Sequence, residues 1–131
     1  MDFPAEPVMM KTLIVEDNAN YRRVLKDTLQ TLFPSLVIHE AAEGNEALQQ
    51  VVTFRPELIL MDIRLPGENG LQLTKRIKTS HPDTRVVILT SYDSLEYREA
   101  AIRCGANCFI SKDSMNWQQI ETLVKSFDKI E

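Results

Sequence analysis

Four short apolar runs punctuate the chain: Thr12–Val15 (TLIV), Leu58–Met61 (LILM), Val86–Leu89 (VVIL) and Cys108–Ser111 (CFIS). A fifth, Leu36–Ala41 (LVIHEA), mixes polar residues in. Uninterrupted apolar tetrads between turn residues fit strands buried on both faces, as in a parallel sheet, and the mixed run fits an edge strand. The segments between them carry helical spacing. Tyr21, Val24, Leu25, Leu29 and Leu32 mark one helix face, Leu48, Val51 and Val52 a second helix, and Leu73 and Ile77 a third. Asn69 with Gln72 three residues on is a capping signature opening that third helix. A fourth helix is expected to open at Asp93, with Glu96 three on, and to end at Gly105 as its C′ residue. Trp117, Ile120, Val124 and Phe127 mark the last. Strand and helix therefore alternate five times. The expectation is an α/β fold with a five-stranded parallel, doubly wound sheet, flavodoxin-like in order 2-1-3-4-5, and five helices.

The 131 residues set a prior of one domain, expected over residues 10–131, and residues 1–9 read as a loose leader with two prolines and no periodicity. The net charge of −4 lacks the clustered basic face that phosphate backbones demand, so this segment is not expected to bind nucleic acid. No apolar run approaches the roughly 18 residues of a membrane span. Cys104 and Cys108 read as reduced thiols of a cytoplasmic protein and as small buried hydrophobes, since His39 and His81 lie too far off in sequence to complete a zinc site.

Chemistry enters at the strand ends. Each tetrad runs into polar residues: Glu16 and Asp17, then Asp62, Thr90 and Lys112. In a parallel sheet all these ends lie on one edge, so three carboxylates, a hydroxyl and an ammonium should meet in one cleft. Three packed carboxylates repel each other, and a divalent cation relieves that repulsion. An all-oxygen donor set favours a hard ion, here Mg²⁺. A carboxylate beside such an ion and a lysine can act as a nucleophile on phosphorus.

At these residues the chain resembles the receiver domains of bacterial two-component response regulators, the CheY-like family. The resemblance is carried by Leu13–Asn18, by Met61–Gly70 (MDIRLPGENG), by Ile88–Ser91, by Gly105 and Ala106 through Phe109 to Lys112 and Asp113, and by the turn Ala42–Gly44. It implies that Asp62 is the phosphoacceptor, Asp17 a direct Mg²⁺ ligand, and Glu16 an acid reaching the metal through water. The backbone carbonyl of Arg64 is implied as a further ligand, Thr90 as the switch hydroxyl, and Lys112 as the family's lysine. Pro66 and Gly70 match the turn into the third helix. Glu16 stands where the family more commonly has Asp, and Phe109 where it often has Tyr, which removes a hydrogen-bonding hydroxyl from the aromatic readout. The Lys112-Asp113 pair is similar to receivers of the NarL/FixJ type, which precede a helix-turn-helix output in transcription regulation.

The resemblance also implies a sensor histidine kinase or phosphotransfer protein as donor, and a homodimer formed on phosphorylation. Whether an output domain follows residue 131 stays open. Arg22, Arg23 and Lys26 form a basic stripe on the first helix, read as a solvated face or as a docking surface for that donor. Other readings weigh less. An Asp-nucleophile hydrolase commonly carries a second acid two residues on, where this chain has Arg64. A flavin carrier needs a phosphate-cradling loop after the first strand, where Glu16-Asp17-Asn18 would repel phosphate. A degenerate receiver used only for protein binding would have lost some of these residues.

Overall fold

A computed structural model describes residues 8–128. In chain order the elements are β1 (Lys11–Val15), α1 (Ala19–Leu32), β2 (Val37–Ala41), α2 (Gly44–Thr53), β3 (Leu58–Met61), α3 (Gly70–Ser80), β4 (Arg85–Thr90), α4 (Leu95–Arg103), β5 (Cys108–Ser111) and α5 (Trp117–Asp128). The strands form one parallel sheet in the order β2-β1-β3-β4-β5. The predicted fold class and strand order are those of the structure.

The apolar tetrads arise because successive side chains on a strand face opposite sides, and here both sides are covered. Ile14, Leu58, Leu60, Val87, Leu89 and Ile110 pack with Leu25 and Leu29 of α1 and Ile120 and Val124 of α5. Leu13, Val15, Ile59, Met61, Val86 and Ile88 pack with Ala47 and Val51 of α2, Leu73 and Ile77 of α3, and Ala101 of α4. The edge strand β2 alternates instead, with Val37 and His39 exposed and Ile38 and Ala41 buried. Of the expected leader, residues 1–7 lie outside the described residues, while Val8 packs against the α1/α5 side of the core.

Several local expectations need adjusting. Val24 and Val52 point outward, 57% and 63% exposed, because each sits about 100° around its helix from Leu25 or Val51 and the sheet takes one of the two. Ser94 rather than Asp93 caps α4: its hydroxyl accepts from the Tyr97 amide at 3.3 Å. Cys104 and Cys108 are free thiols as expected, but half-buried rather than buried. Elsewhere the local chemistry is as read. Asn69 Oδ1 accepts from the Gln72 amide at 3.0 Å. Gly105 takes φ +96° and closes α4, with its amide on Ile102 O and that of Ala106 on Ala101 O, both at 3.0 Å.

In the loop from β3 to α3 the backbone packs closely on itself. Gly70 donates its amide to Ile63 O at 2.8 Å, and a Cβ placed on Gly70 would lie 1.9 Å from the Asp62 carbonyl oxygen. That neighbour is backbone and cannot swing aside. Gly70→Ala should therefore destabilise the domain by more than about 2 kcal/mol, measured by urea unfolding. A loss below about 0.5 kcal/mol would show that this close approach is not a constraint.

Candidate functional site

The sheet hydrogen bonding continues one residue past the strand ends, which fixes the backbone of the polar residues found there. The Glu16 amide donates to Ala41 O at 3.0 Å, the Asp62 amide to Val15 O at 3.0 Å, and the Lys112 amide to Thr90 O at 2.9 Å. Asp17 follows Glu16 directly into the loop before α1, whose N-cap Asn18 accepts from the Tyr21 amide at 2.9 Å.

The side chains meet as the topology requires. One oxygen each of Glu16, Asp17 and Asp62 lie within 4.8 Å of one another. Lys112 Nζ reaches back across the sheet edge, pairing with Glu16 Oε1 and with Asp62 Oδ2, the latter at 3.0 Å. The other Asp62 oxygen accepts from the Ile63 amide at 2.7 Å, and the other Glu16 oxygen from the Asn18 amide at 3.0 Å. Glu16 and Asp62 are buried and Lys112 is nearly so, whereas Asp17 is exposed.

The electrostatics follow from that burial. Burial raises the Glu16 carboxyl above its usual range, and the neighbouring Asp62 charge adds to the rise against the opposing pull of Lys112. For Lys112, burial works against the charged form, but the contacts with Glu16 and Asp62 outweigh it and raise the ammonium's pKa. Three carboxylates face one ammonium. That unbalanced, all-oxygen donor set fits a hard divalent cation, so the cluster is a site that could hold a metal.

Thr90 is fully buried at the end of β4, and its hydroxyl accepts from the Tyr92 amide at 3.3 Å. Its backbone is bonded to that of Lys112, which places it at the same edge. Arg64 is exposed, and its guanidinium lies over the Tyr92 ring, 4.5 Å from the centroid. Phe109 is half-buried on β5 beneath the guanidinium of Arg98 of α4, at 4.7 Å. The basic stripe is divided: Arg22 and Lys26 pair with Glu40 at 3.1 and 3.2 Å, Arg22 also donates to Glu16 O at 2.7 Å, and Arg23 is exposed.

Reading the sequence missed Tyr21, whose ring carries the Lys112 ammonium 4.1 Å from its centroid, and Arg98. Helical spacing marked Tyr21 as a core position, and nothing local ties it to residue 112. Cavities of about 460 Å³ beside β5 and α5 (Cys108, Ile110, Leu123) and about 690 Å³ around Pro56, Lys78 and Arg85 contain none of the clustered acids.

The chain is similar to many known proteins. The profile of the response regulator receiver domain matches residues 12–125. The oxygen regulatory protein NreC of Staphylococcus carnosus is 37% identical over 115 residues, covering 87% of this chain and 53% of that protein. Its counterpart in Staphylococcus epidermidis is 38% identical over 112 residues, covering 85% and 51%. The chain thus spans about half the length of these relatives. Two examples stand for the solved structures that share the fold. The signal receiver domain of a DNA-binding response regulator from Colwellia psychrerythraea has a TM-score of 0.87 at 23% identity, covering 92% of this chain and 99% of that one. A LuxR-family DNA-binding response regulator from Staphylococcus aureus has a TM-score of 0.84 at 19% identity, covering 92% and 99%. The profile match over nearly the whole chain, on a sheet of the same strand order, establishes that this chain belongs to the response regulator receiver family and is the receiver domain of a two-component response regulator.

Proposed function

We propose that Asp62 accepts a phosphoryl group from the phosphohistidine of a sensor kinase or phosphotransfer protein, with Mg²⁺ held by Asp17, Asp62, the Arg64 carbonyl and, through water, Glu16. The observation that carries this reading is the Lys112 ammonium bridging Glu16 and Asp62 beside the third carboxylate.

The residues divide the chemistry. The Ile63 amide on Asp62 Oδ1 holds the carboxylate plane, so an oxygen of that group is presented to phosphorus without a search of rotamers. A new O–P bond forms there as the P–N bond to the donor imidazole breaks, and the imidazole leaves with the electron pair. Lys112 exchanges a carboxylate for a phosphoryl oxygen, so a positive charge faces the transferred group. When bound, the metal ion supplies charge neutralisation for the phosphoryl oxygens and the acids around them. The Thr90 hydroxyl, now bound by the Tyr92 amide, turns to the phosphoryl group and draws the β4–α4 loop inward. Phe109 follows by changing its packing beneath Arg98.

This is a switch module that transfers a phosphoryl group to itself and later loses it. Among the described residues no helix is long and apolar enough to cross a membrane, which accords with a cytoplasmic role. Solved fold neighbours named as DNA-binding regulators support a transcriptional output controlled by this receiver, and dimerisation on phosphorylation is the proposed route to it. The net charge of −4 supports a reading in which this segment does not itself contact nucleic acid.

Acetyl phosphate with Mg²⁺ should add one phosphoryl mass to the wild-type chain, with none on Asp62→Asn or in the presence of chelator. Full labelling of Asp62→Asn would falsify the assignment. Asp17 gives a second test, because it adds a like charge to the cluster and has no cation bonded to it among the described residues. Asp17→Asn should raise the metal-free melting temperature and abolish most of the rise that Mg²⁺ gives the wild type. A variant that melts lower, and still responds to Mg²⁺, would remove Asp17 from the site.

The stacked Arg64 and Tyr92 side chains lie on loops leaving the site, two residues after the acceptor and the switch threonine. Neither offers a carboxylate or amide to orient an attacking water. Self-dephosphorylation should therefore take many minutes or longer, and Arg64→Ala with Tyr92→Ala should speed it about tenfold if the screening is worth roughly 1.4 kcal/mol. Decay after donor removal measures it. Loss within seconds in wild type, or no acceleration in the double variant, would show that the pair does not shield the phosphoryl group.

A further inference from the structure

We propose that Tyr21 is a positioning residue, whose ring face keeps the Lys112 ammonium aimed at the acceptor cleft while its carboxylate partners change. The inference rests on the phosphoacceptor reading of Asp62 and names a further residue for that reaction.

An ammonium has three N–H donors. Lys112 directs two of them to Glu16 and Asp62, and its Nζ lies 4.1 Å from the centre of the Tyr21 ring. At that distance the negative face of the ring attracts the cation, more strongly where water is excluded. The lysine side chain is only 13% exposed.

Tyr21 is held there from two directions. Its amide donates to Asn18 Oδ1 at 2.9 Å, which fixes the first turn of α1, and its side chain packs against the core shared by α1 and α5. Its hydroxyl is buried with no hydrogen-bond partner among the described residues. A hydroxyl in that state makes no favourable contribution to the fold, so the value of this side chain lies in the ring.

The chemistry explains what the ring adds. Once phosphorylated, Asp62 no longer offers Lys112 a carboxylate, and Glu16 would be drawn on to help hold a bound cation. Both partners of the ammonium therefore change within one reaction, and the ring does not. A lysine side chain with four rotatable bonds would otherwise be free to leave the cleft as the partners exchange.

The test uses the full receiver chain with Tyr21→Phe, Tyr21→Leu and Tyr21→Met, the last retaining apolar bulk without a π face. Amide spectra establish that each variant is folded. The first readout is independent of activity: the upfield ring-current shift of the Lys112 Hε protons, recorded without phosphodonor or metal. It should be present in wild type and Tyr21→Phe and absent in the other two. The second is phosphorylation by acetyl phosphate across Mg²⁺ concentrations. Tyr21→Phe should stay within about twofold of wild type, while Leu and Met lower the maximal rate about tenfold, with the Mg²⁺ concentration at half-maximum unchanged. Tyr21→Phe should also melt no lower than wild type, since the hydroxyl it removes has no partner.

Leu or Met variants that phosphorylate as fast as wild type would overturn the proposal. So would a Phe variant as slow as they are, because the hydroxyl and not the ring would then be responsible. If the wild type itself takes no label, the phosphoacceptor reading falls and this one with it. Labelled wild type with undiminished Leu and Met variants removes only the role of Tyr21.

Discussion

A single cation ties three strands together at the carboxyl edge of the sheet. Lys112 leaves the end of β5 and pairs with Glu16 after β1 and Asp62 after β3. Buried charges are tolerated only when paired, so the position of this ammonium decides whether the acids can share a cleft at all. The pairing is also incomplete, since one ammonium faces three carboxylates. The site is left short of positive charge by an amount a divalent cation can supply. On the proposed reading, the same long side chain that pairs with the cluster would then move to a phosphoryl oxygen.

The fold supports this by fixing the backbone at the edge of the sheet. Both faces of the sheet are buried under helices, and the strand ladders extend to the amides of Glu16, Asp62 and Lys112. Further out on the loops, individual side chains are less enclosed. Tyr92 and Arg64 are exposed and held mainly by stacking on each other, and Tyr97 meets Tyr92 edge-on with ring centres 6.0 Å apart. On the proposed reading, a phosphoryl group on Asp62 would act from the hydrogen-bonded edge on these exposed side chains.

Phe109 shows how a departure from the family's usual residue is accommodated. It lacks the hydroxyl of the commoner tyrosine, but its ring lies under the Arg98 guanidinium, an interaction that needs only a π face. Movement of the ring between two packings would make or break that contact, coupling β5 to the exposed side of α4. Leu95 and Ile102, 67% and 73% exposed, lie on that helix.

The sequence by itself determined the strands, their order and the members of the cluster. Apolar tetrads that end in Glu16, Asp17, Asp62, Thr90 and Lys112 force those residues to one edge of any right-handed parallel sheet. Local chemistry also marked Asn69 and Gly105 as helix ends, because capping depends on residues within a few positions. Tertiary structure decided the rest. Whether Leu25 or Val24 faces the sheet, and whether Ser94 or Asp93 caps α4, turns on angles of the chain that a periodic pattern leaves open. The ring of Tyr21 beneath Lys112 and the guanidinium of Arg64 over Tyr92 are contacts between distant segments, invisible in spacing. Side-chain stacking of that kind depends on rotamers and on how closely helix and loop approach the sheet, and only the packed fold sets those distances.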